Sequence, residues 1–323
     1  MKGLILCAGK GTRLHPFSLA TPKVLLRVAN RPLIHYCIEK LQELHIEEIG
    51  IVIHPSHKQQ FMSEVGTGDR WGVKIVYIDQ DHPRGIADAV KQAESFAGGD
   101  AFMLMLGDNL IEQSLHGLRE AIQERGDDVS LLLGEVGRPQ DYGIAEIVDG
   151  RIVGLEEKSP VPKSNLAVLG AYAFSPAIFS AIHAIAPSRR GEYEITDAIQ
   201  WMIGRGRAVS HCITDGKHFD VGTLERWLEA SRWMTERLDG NGEPRADERF
   251  EGCSIVGPVV IDPSSELKDC VIGPYVAIGP HVRLEGCRVS NSILLEGTNL
   301  KQVDMVNIIG SPEYNCEVKS GEP

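Results

Sequence analysis

The chain opens Gly3-Leu4-Ile5-Leu6-Cys7-Ala8-Gly9-Lys10-Gly11-Thr12-Arg13-Leu14 and runs on through Thr21-Pro22-Lys23-Val24-Leu25-Leu26-Arg27. An apolar run closes on a glycine-rich turn. An arginine follows at once, and a lysine stands ten residues later. Glycine lacks a Cβ, so backbone N–H groups there can approach a phosphate closely. Arg13 adds a planar fork for phosphate oxygens, and Lys23 adds a point charge. The stretch reads as a polyphosphate cradle on the end of the first strand of an α/β sheet.

Two familiar phosphate loops do not fit. A P-loop needs Gly-x-x-x-x-Gly-Lys-Ser/Thr, and no such run occurs. A dinucleotide fingerprint needs a third glycine where Leu14 stands, and an acidic residue about twenty positions on, where Val28-Ala29-Asn30 stand. A bare Gly-x-Gly also fits an ordinary turn, so the cradle rests on its neighbours Arg13 and Lys23.

From there the pattern extends outward. Leu4–Cys7, Ile49–Ile53, Val73–Ile78, Ala101–Leu106 and Val129–Leu133 read as strands. Between them Pro32–Leu44, His57–Val65, Ile86–Phe96 and Leu115–Gln123 read as helices. This alternation predicts an α/β, Rossmann-like, mostly parallel sheet with helices on both faces. Ligands of such sheets sit beyond the carboxyl ends of the strands. The Gly9 turn and the turn Gly107-Asp108-Asn109 both lie there. From residue 143 the pattern turns strand-rich, with Ile144–Val148, Ile152–Glu156 and Ala167–Phe174 as strands and Asp149-Gly150 as a hairpin turn. Helices are expected at Pro176–Ala184, Ile195–Ile203 and Leu224–Arg237. Asp239-Gly240-Asn241-Gly242-Glu243-Pro244 reads as a linker.

The last 80 or so residues repeat. Single aliphatics recur about every six positions at Ile255, Ile261, Leu267, Ile272, Ile278 and Leu284, with Gly-Pro steps after several. Cys253, Cys270 and Cys287 are 17 apart, and Ile255, Ile272, Val289 and Val306 are expected to share one register. This is the pattern of a small C-terminal parallel β-helix of the left-handed kind, its cysteines stacked in a column. The spacing without a histidine partner is not that of zinc. The chain therefore divides, by expectation, into residues 1–239 and 245–323. The tail is a packing or oligomerisation platform rather than a second enzyme, since His281 is its only histidine.

Composition narrows the classes further. The 323 residues are 42% hydrophobic, enough for one large core and a smaller unit. A formal net charge of −12 argues against general nucleic-acid binding. No apolar run reaches membrane-spanning length, no signal-peptide pattern follows the start, and seven scattered cysteines read as free thiols. A cytoplasmic protein with no nucleic-acid or membrane partner is expected.

Phosphate chemistry needs cations for charge and carboxylates for a divalent metal, usually magnesium. Asp108, delivered by the buried run 102–106, suits a metal ligand or a helix cap. Asp220, in His218-Phe219-Asp220-Val221-Gly222-Thr223, suits a ligand or an N-cap. Glu156-Glu157-Lys158 ends a strand: Lys158 could hold a sugar phosphate and Glu157 sugar hydroxyls, or the run is a solvated end. Gln80, with an amide that donates and accepts, precedes Gly85 at a helix start.

Taken in order, Gly9-x-Gly11-Thr12-Arg13-Leu14, Pro22-Lys23, Gln80 through Gly85, Leu106-Gly107-Asp108-Asn109, Tyr142-Gly143, Glu156-Glu157-Lys158, Arg190-Gly191-Glu192-Tyr193-Glu194-Ile195-Thr196-Asp197 and Asp220-x-Gly222-Thr223 resemble the sugar-nucleotide pyrophosphorylases. Within that family the set is most similar to the glucose-1-phosphate thymidylyltransferases, in a long form with a hexapeptide-repeat tail. The resemblance implies that dTTP and glucose 1-phosphate give dTDP-glucose and pyrophosphate. It implies Arg13, Lys23, Asp108 and Lys158 as catalytic, and Asp108 and Asp220 as ligands of Mg2+. It implies a nucleotide site of Leu6, Ala8, Gly9, Gly11, Thr12, Arg13, Lys23, Gln80, Gly85 and Asp108. Gly143, Glu157, Lys158 and Val168 would take the sugar phosphate. A homo-oligomer (dimer, trimer or tetramer) is expected. UTP- or GTP-using enzymes of the same fold, and a non-catalytic sugar-nucleotide sensor, remain alternatives. His218 and Val221 depart from the usual family residues and touch the choice of substrate.

Overall fold

A computed structural model describes residues 1–239 and 249–319. The linker expected at 239–244 lies, beyond Asp239, outside the described residues. The chain packs into two compact units, one of residues 1–10 and 34–218 and the other of residues 11–33 and 219–323.

The first unit is built on a nine-stranded sheet. Its strands are β1 (Lys2–Leu6), β2 (Glu48–Ile53), β3 (Lys74–Asp79), β4 (Phe102–Leu106), β5 (Val129–Glu135), β6 (Gly143–Val148), β7 (Arg151–Glu157), β8 (Leu166–Phe174) and β9 (Val209–Thr214). The order runs β7-β6-β8-β4-β1-β2-β3, and β5 joins β8 to β9. β3, β2, β1 and β4 are mutually parallel, and β9 is parallel to β5. β8 enters antiparallel to β4, β5 and β6. Helices cover the central parallel strands β1, β2 and β4, which read as near-continuous apolar runs rather than alternating ones. β2 buries five residues in a row and β5 six.

Local chemistry explains the elements. Asp149 and Gly150 both have positive φ, as a tight hairpin between β6 and β7 requires. The helix expected over 86–96 is divided into Ile86–Gln92 and Glu94–Ala97, because Ala93 leaves helical geometry with ψ near 4°. Strand β9 had no counterpart in the sequence reading. Its half-buried residues lack both a continuous apolar run and a strict alternation. β8 carries an irregularity between Val168 and Tyr172, where Gly170 takes φ +69°. That break lets one strand serve different neighbours at its two ends.

The second unit winds into a parallel β-helix with three sides. One side stacks 254–255, 271–272, 288–290 and 304–306; a second stacks 259–261, 276–278, 292–294 and 308–310; a third stacks 266–268, 283–285 and 299–301. Leu267 and Leu284 point inward, as do Ile255, Ile272 and Val289. The cysteine column is present. The Cys270 N–H donates to Cys253 Sγ at 3.3 Å and the Cys287 N–H to Cys270 Sγ at 3.4 Å.

Val306 corrects the expected register. Val289 pairs with Met305, not Val306, and Val306 is 58% exposed. The physical reason is a shorter coil. Ile255 to Val259 and Ile272 to Val276 span a Gly-Pro corner, whereas Val289 reaches Ser292 with one residue fewer. Downstream positions then repeat at 16 rather than 17.

Residues 11–33 belong to this second unit because their contacts lie there. Asn30 Nδ2 donates to the Ile278 carbonyl at 2.6 Å. Trp227 of the helix Leu224–Asp239 donates its indole N–H to the Arg27 carbonyl at 2.8 Å and meets Phe17 edge-on. The same helix packs on strands 259–261, 276–278 and 292–294.

Candidate active site

In the first unit, Leu6, Ala8, Gly9, Gln80 and Asp108 lie at or just past the carboxyl ends of the parallel strands, whereas Gly143 opens β6 and Val168 lies near the start of β8. Leu6 lies in register between Val52 and Leu106. The Gly107 N–H donates to the Leu6 carbonyl at 3.0 Å and the Cys7 N–H to Val52 at 2.8 Å. The strands thus end level, and Ala8, Gly9 and Asp108 emerge along one edge. Gly9 is exposed and Asp108 is 8% exposed. Beneath the Asp108 turn, Cys37 Sγ sits 3.6 Å from the Gly107 and Asn109 carbonyl oxygens. Burial, and then the charge of Asp108, push the Cys37 thiol well up, so it stays protonated.

Gln80 and Gly85 lie next along this edge. Gln80 is 3% exposed, and its Nε2 donates to Asp88 Oδ2 at 2.8 Å. Gly85 has φ +108°, and a Cβ there would stand 2.4 Å from the Tyr193 carbonyl oxygen. That glycine lets the backbone of Tyr193 seat against the helix start. The Tyr193 N–H donates to Arg84 O at 2.7 Å, and the Ala87 N–H to Tyr193 O at 3.0 Å.

Gly143, Glu157, Lys158 and Val168 form a second group. Gly143 faces Glu157 across β6 and β7. A Cβ at Gly143 would meet Thr196 Cγ2 at 2.7 Å and Glu157 Oε2 at 3.0 Å. Thr196 Oγ1 donates to Glu157 Oε2 at 3.2 Å, and Arg190 Nη1 and Lys158 Nζ approach Oε1 at 3.6 and 3.8 Å. Arg190 also pairs with Glu194 at 3.4 Å. Burial raises the Glu157 pKa above its ordinary value; Lys158 opposes that, and Glu194 adds to it. Lys158 leaves the strand with φ +45°, its N–H held by the Tyr142 carbonyl at 2.9 Å. Val168 is buried on β8, next to Ala167, which pairs with Ile144. The partners of Glu157, Arg190 and Thr196, had no role in the sequence reading. Their only signal was the run 190–197, far from Glu157 in the chain.

The second unit holds Gly11, Thr12, Arg13, Lys23 and Asp220. Gly11 takes φ +62°, and a Cβ there would lie 3.0 Å from Lys23 Cβ. The Ser18 hydroxyl donates to the Gly11 carbonyl at 2.7 Å. Thr12–Leu14 form a short 3-10 turn pinned by the fully buried Leu14, which leaves Thr12 and Arg13 exposed. Lys23 opens a second such turn after Pro22. Arg13 and Asp220 come together around Gly222, where a Cβ would stand 2.9 Å from Arg13 Nη2 and 3.1 Å from Asp220 Oδ1.

Among the described residues no group of three or more His, Cys, Asp or Glu forms a metal cage. Magnesium does not need one, since it commonly takes one or two carboxylates and completes its shell with phosphate oxygens and water. Asp108 in the first unit and Asp220 in the second each carry hard carboxylate oxygens, the donor type such an ion takes, and the Cys37 thiol beside Asp108 stays protonated. Among the described residues no helix is long and apolar enough to cross a membrane.

The comparisons agree with one another. A family model described as nucleotidyl transferase matches residues 2–237. The glucose-1-phosphate thymidylyltransferase of Streptomyces griseus is 37% identical over 322 residues, spanning 94% of this chain and 89% of that protein. The UTP–glucose-1-phosphate uridylyltransferase AglF of Haloferax volcanii is 36% identical, spanning 73% of this chain and 97% of its own length. A solved UDP-glucose pyrophosphorylase complexed with UDP-glucose superposes with a TM-score of 0.64 at 25% identity, covering 73% of this chain and 98% of that one.

Proposed function

The chain belongs to the nucleotidyl transferase family, and from that premise we propose that it joins a nucleoside triphosphate to a sugar 1-phosphate. The preferred pair in this reading is dTTP and glucose 1-phosphate, the products dTDP-glucose and pyrophosphate. The observation that carries it is the Leu6–Leu106 register, which brings the glycine turn and Asp108 to one open edge of the sheet.

The chemistry asks little of acid or base. A phosphate oxygen of the sugar phosphate, already ionised at neutral pH, attacks the α-phosphorus in line. One P–O bond forms as the bond to pyrophosphate breaks, and no proton has to move. Residues 1–239 carry this step, and residues 245–323 form the appended β-helix. Arg13 and Lys23 hold the triphosphate, with Gly9, Gly11 and Thr12 giving it close backbone approach. Gly9 lies beneath the nucleoside, Leu6 and Ala8 complete the nucleotide site, and Gln80 and Gly85 face the base. Lys158 grips the sugar phosphate, while Gly143, Glu157 and Val168 line the sugar. Asp108 and Asp220 would hold Mg2+, which when bound neutralises phosphate charge.

A second reading takes UTP in place of dTTP. The Haloferax volcanii relative named for UTP supports it, at nearly the same identity. A non-catalytic sensor is less well supported, because Arg13, Lys23, Asp108 and Asp220 are all retained. The deciding experiment measures pyrophosphate release with magnesium across dTTP, UTP, GTP, CTP and ATP, each with several sugar 1-phosphates. One preferred pair, lost in Asp108→Asn, is expected. A folded protein that turns over no pair would sink the proposal. The same reading has the chain as a homo-oligomer, and light scattering of the full chain at monomer mass would reject that part.

A further inference from the structure

Gln80 and Asp88 form a buried polar pair. Both are nearly buried, at 3% and 4% exposure. The Gln80 backbone N–H is fixed on the Ile53 carbonyl at 2.8 Å, so the residue is anchored to the sheet. Its Nε2 donates to Asp88 Oδ2 at 2.8 Å. Asp88 stands in the first turn of the helix Ile86–Gln92, and its other oxygen takes Arg84 Nη2 at 2.9 Å. An ionised carboxylate only accepts hydrogen bonds. A reversed Gln80 amide would set its carbonyl oxygen against Oδ2, acceptor against acceptor. The pair therefore fixes which end of the amide faces Asp88.

We propose that Asp88 is a positioning residue that sets the base preference of this protein through Gln80. The inference rests on the reading that Gln80 faces the nucleotide base. With one N–H of Nε2 held by Asp88, the carbonyl oxygen and the remaining N–H form a paired acceptor-and-donor edge. Such an edge complements a ring N–H beside a carbonyl, the imide edge of thymine and uracil. Cytosine presents a ring nitrogen acceptor beside an amino donor and meets the same edge with both bonds mismatched. Guanine shares the N–H and carbonyl pattern and is left to the size of the site. Asp88 never touches the base, yet it selects the class of nucleotide.

The test uses the purified full chain and kcat/KM for dTTP, UTP and CTP with the best sugar 1-phosphate. In Asp88→Asn the Arg84 guanidinium keeps the new amide oxygen, so the amide nitrogen turns on Gln80 and reverses it. The ratio of dTTP or UTP to CTP turnover should fall by at least about tenfold, the scale of one misplaced buried hydrogen bond. The change with dTTP should lie in KM more than in kcat. Asp88→Leu carries no buried polar group and keeps the test open if the Asn variant does not fold; it should lower the same ratio by freeing the amide. In a Gln80→Ala background, Asp88→Asn should leave the ratio where Gln80→Ala alone put it. An unchanged ratio in a folded Asp88 variant, or an undiminished Asp88 effect without Gln80, would overturn the inference while leaving the transferase intact. A wild-type chain silent with every nucleotide would instead overturn the functional reading beneath it, and this inference with it.

Discussion

Arg13 Nη2 and Asp220 Oδ1 converge on the space above Gly222, where a Cβ would stand 2.9 Å from the first and 3.1 Å from the second. The two side chains come from residues more than 200 positions apart and meet over a residue with no side chain. Gly222→Ala should push the Arg13 guanidinium aside with little change to the backbone. With Arg13 holding phosphate as proposed, kcat/KM should drop by about tenfold or more, the scale of a misplaced positioning group. Steady-state kinetics against the melting temperature would separate the two effects; an active variant with native kinetics would refute the arrangement.

Gly85 makes a purely structural prediction. Its φ of +108° and the Tyr193 carbonyl oxygen 2.4 Å from a would-be Cβ leave no room for alanine. Gly85→Ala should cost about 2–5 kcal/mol, combining backbone strain with overpacking. Urea unfolding monitored by circular dichroism measures it, and a loss below about 1 kcal/mol would be inconsistent with the contact.

Glu157 gives a pH dependence of definite sign. Burial holds its folded-state pKa above the ordinary 4.5. The folded protein therefore binds more protons than the unfolded chain as pH rises from about 4.5 through the raised value. Across that window this residue's contribution to stability declines with rising pH. Glu157→Gln should flatten that part of the curve and should gain relative stability toward neutral pH. Denaturant midpoints taken from pH 4 to pH 7, at about half-unit steps, would show it; parallel curves for the two proteins would contradict the shift.

The shortened third coil predicts opposite outcomes for adjacent residues. Met305 is 5% exposed and faces the coil interior, whereas Val306 is 58% exposed. Met305→Asp should destabilise the β-helix by about 3 kcal/mol or more, because it buries an unpaired charge. Val306→Asp should stay within about 0.5 kcal/mol of the parent. Reversed sensitivities would restore the register that the 17-residue spacing alone suggests.

Much of this architecture is legible in the residues because local and global signals agree. The strands ending at Leu6 and Leu106, the Asp149-Gly150 hairpin and the hexapeptide tail all carry short-range chemistry that the fold keeps. What was not legible depends on contacts made far along the chain. Strand β9 is defined by its neighbour β5 rather than by its own pattern. Residues 11–33 join the β-helix unit through Asn30 and Trp227, which no spacing rule announces. Of the candidate residues, Arg13, Lys23 and Asp108 stood out by residue type. Asp88, Arg190 and Thr196 did not, since each matters only for the side chain it touches.

The missing residue between Val289 and Ser292 bears on how such a tail can change over generations. Its loss sits at a corner, and Leu294 and Met305 still pack in the coil interior beyond it. The same loss within a strand would turn every following side chain inside out. Corners are thus the places where length can drift or a peptide can be grafted, while the flat sides are closed to insertion.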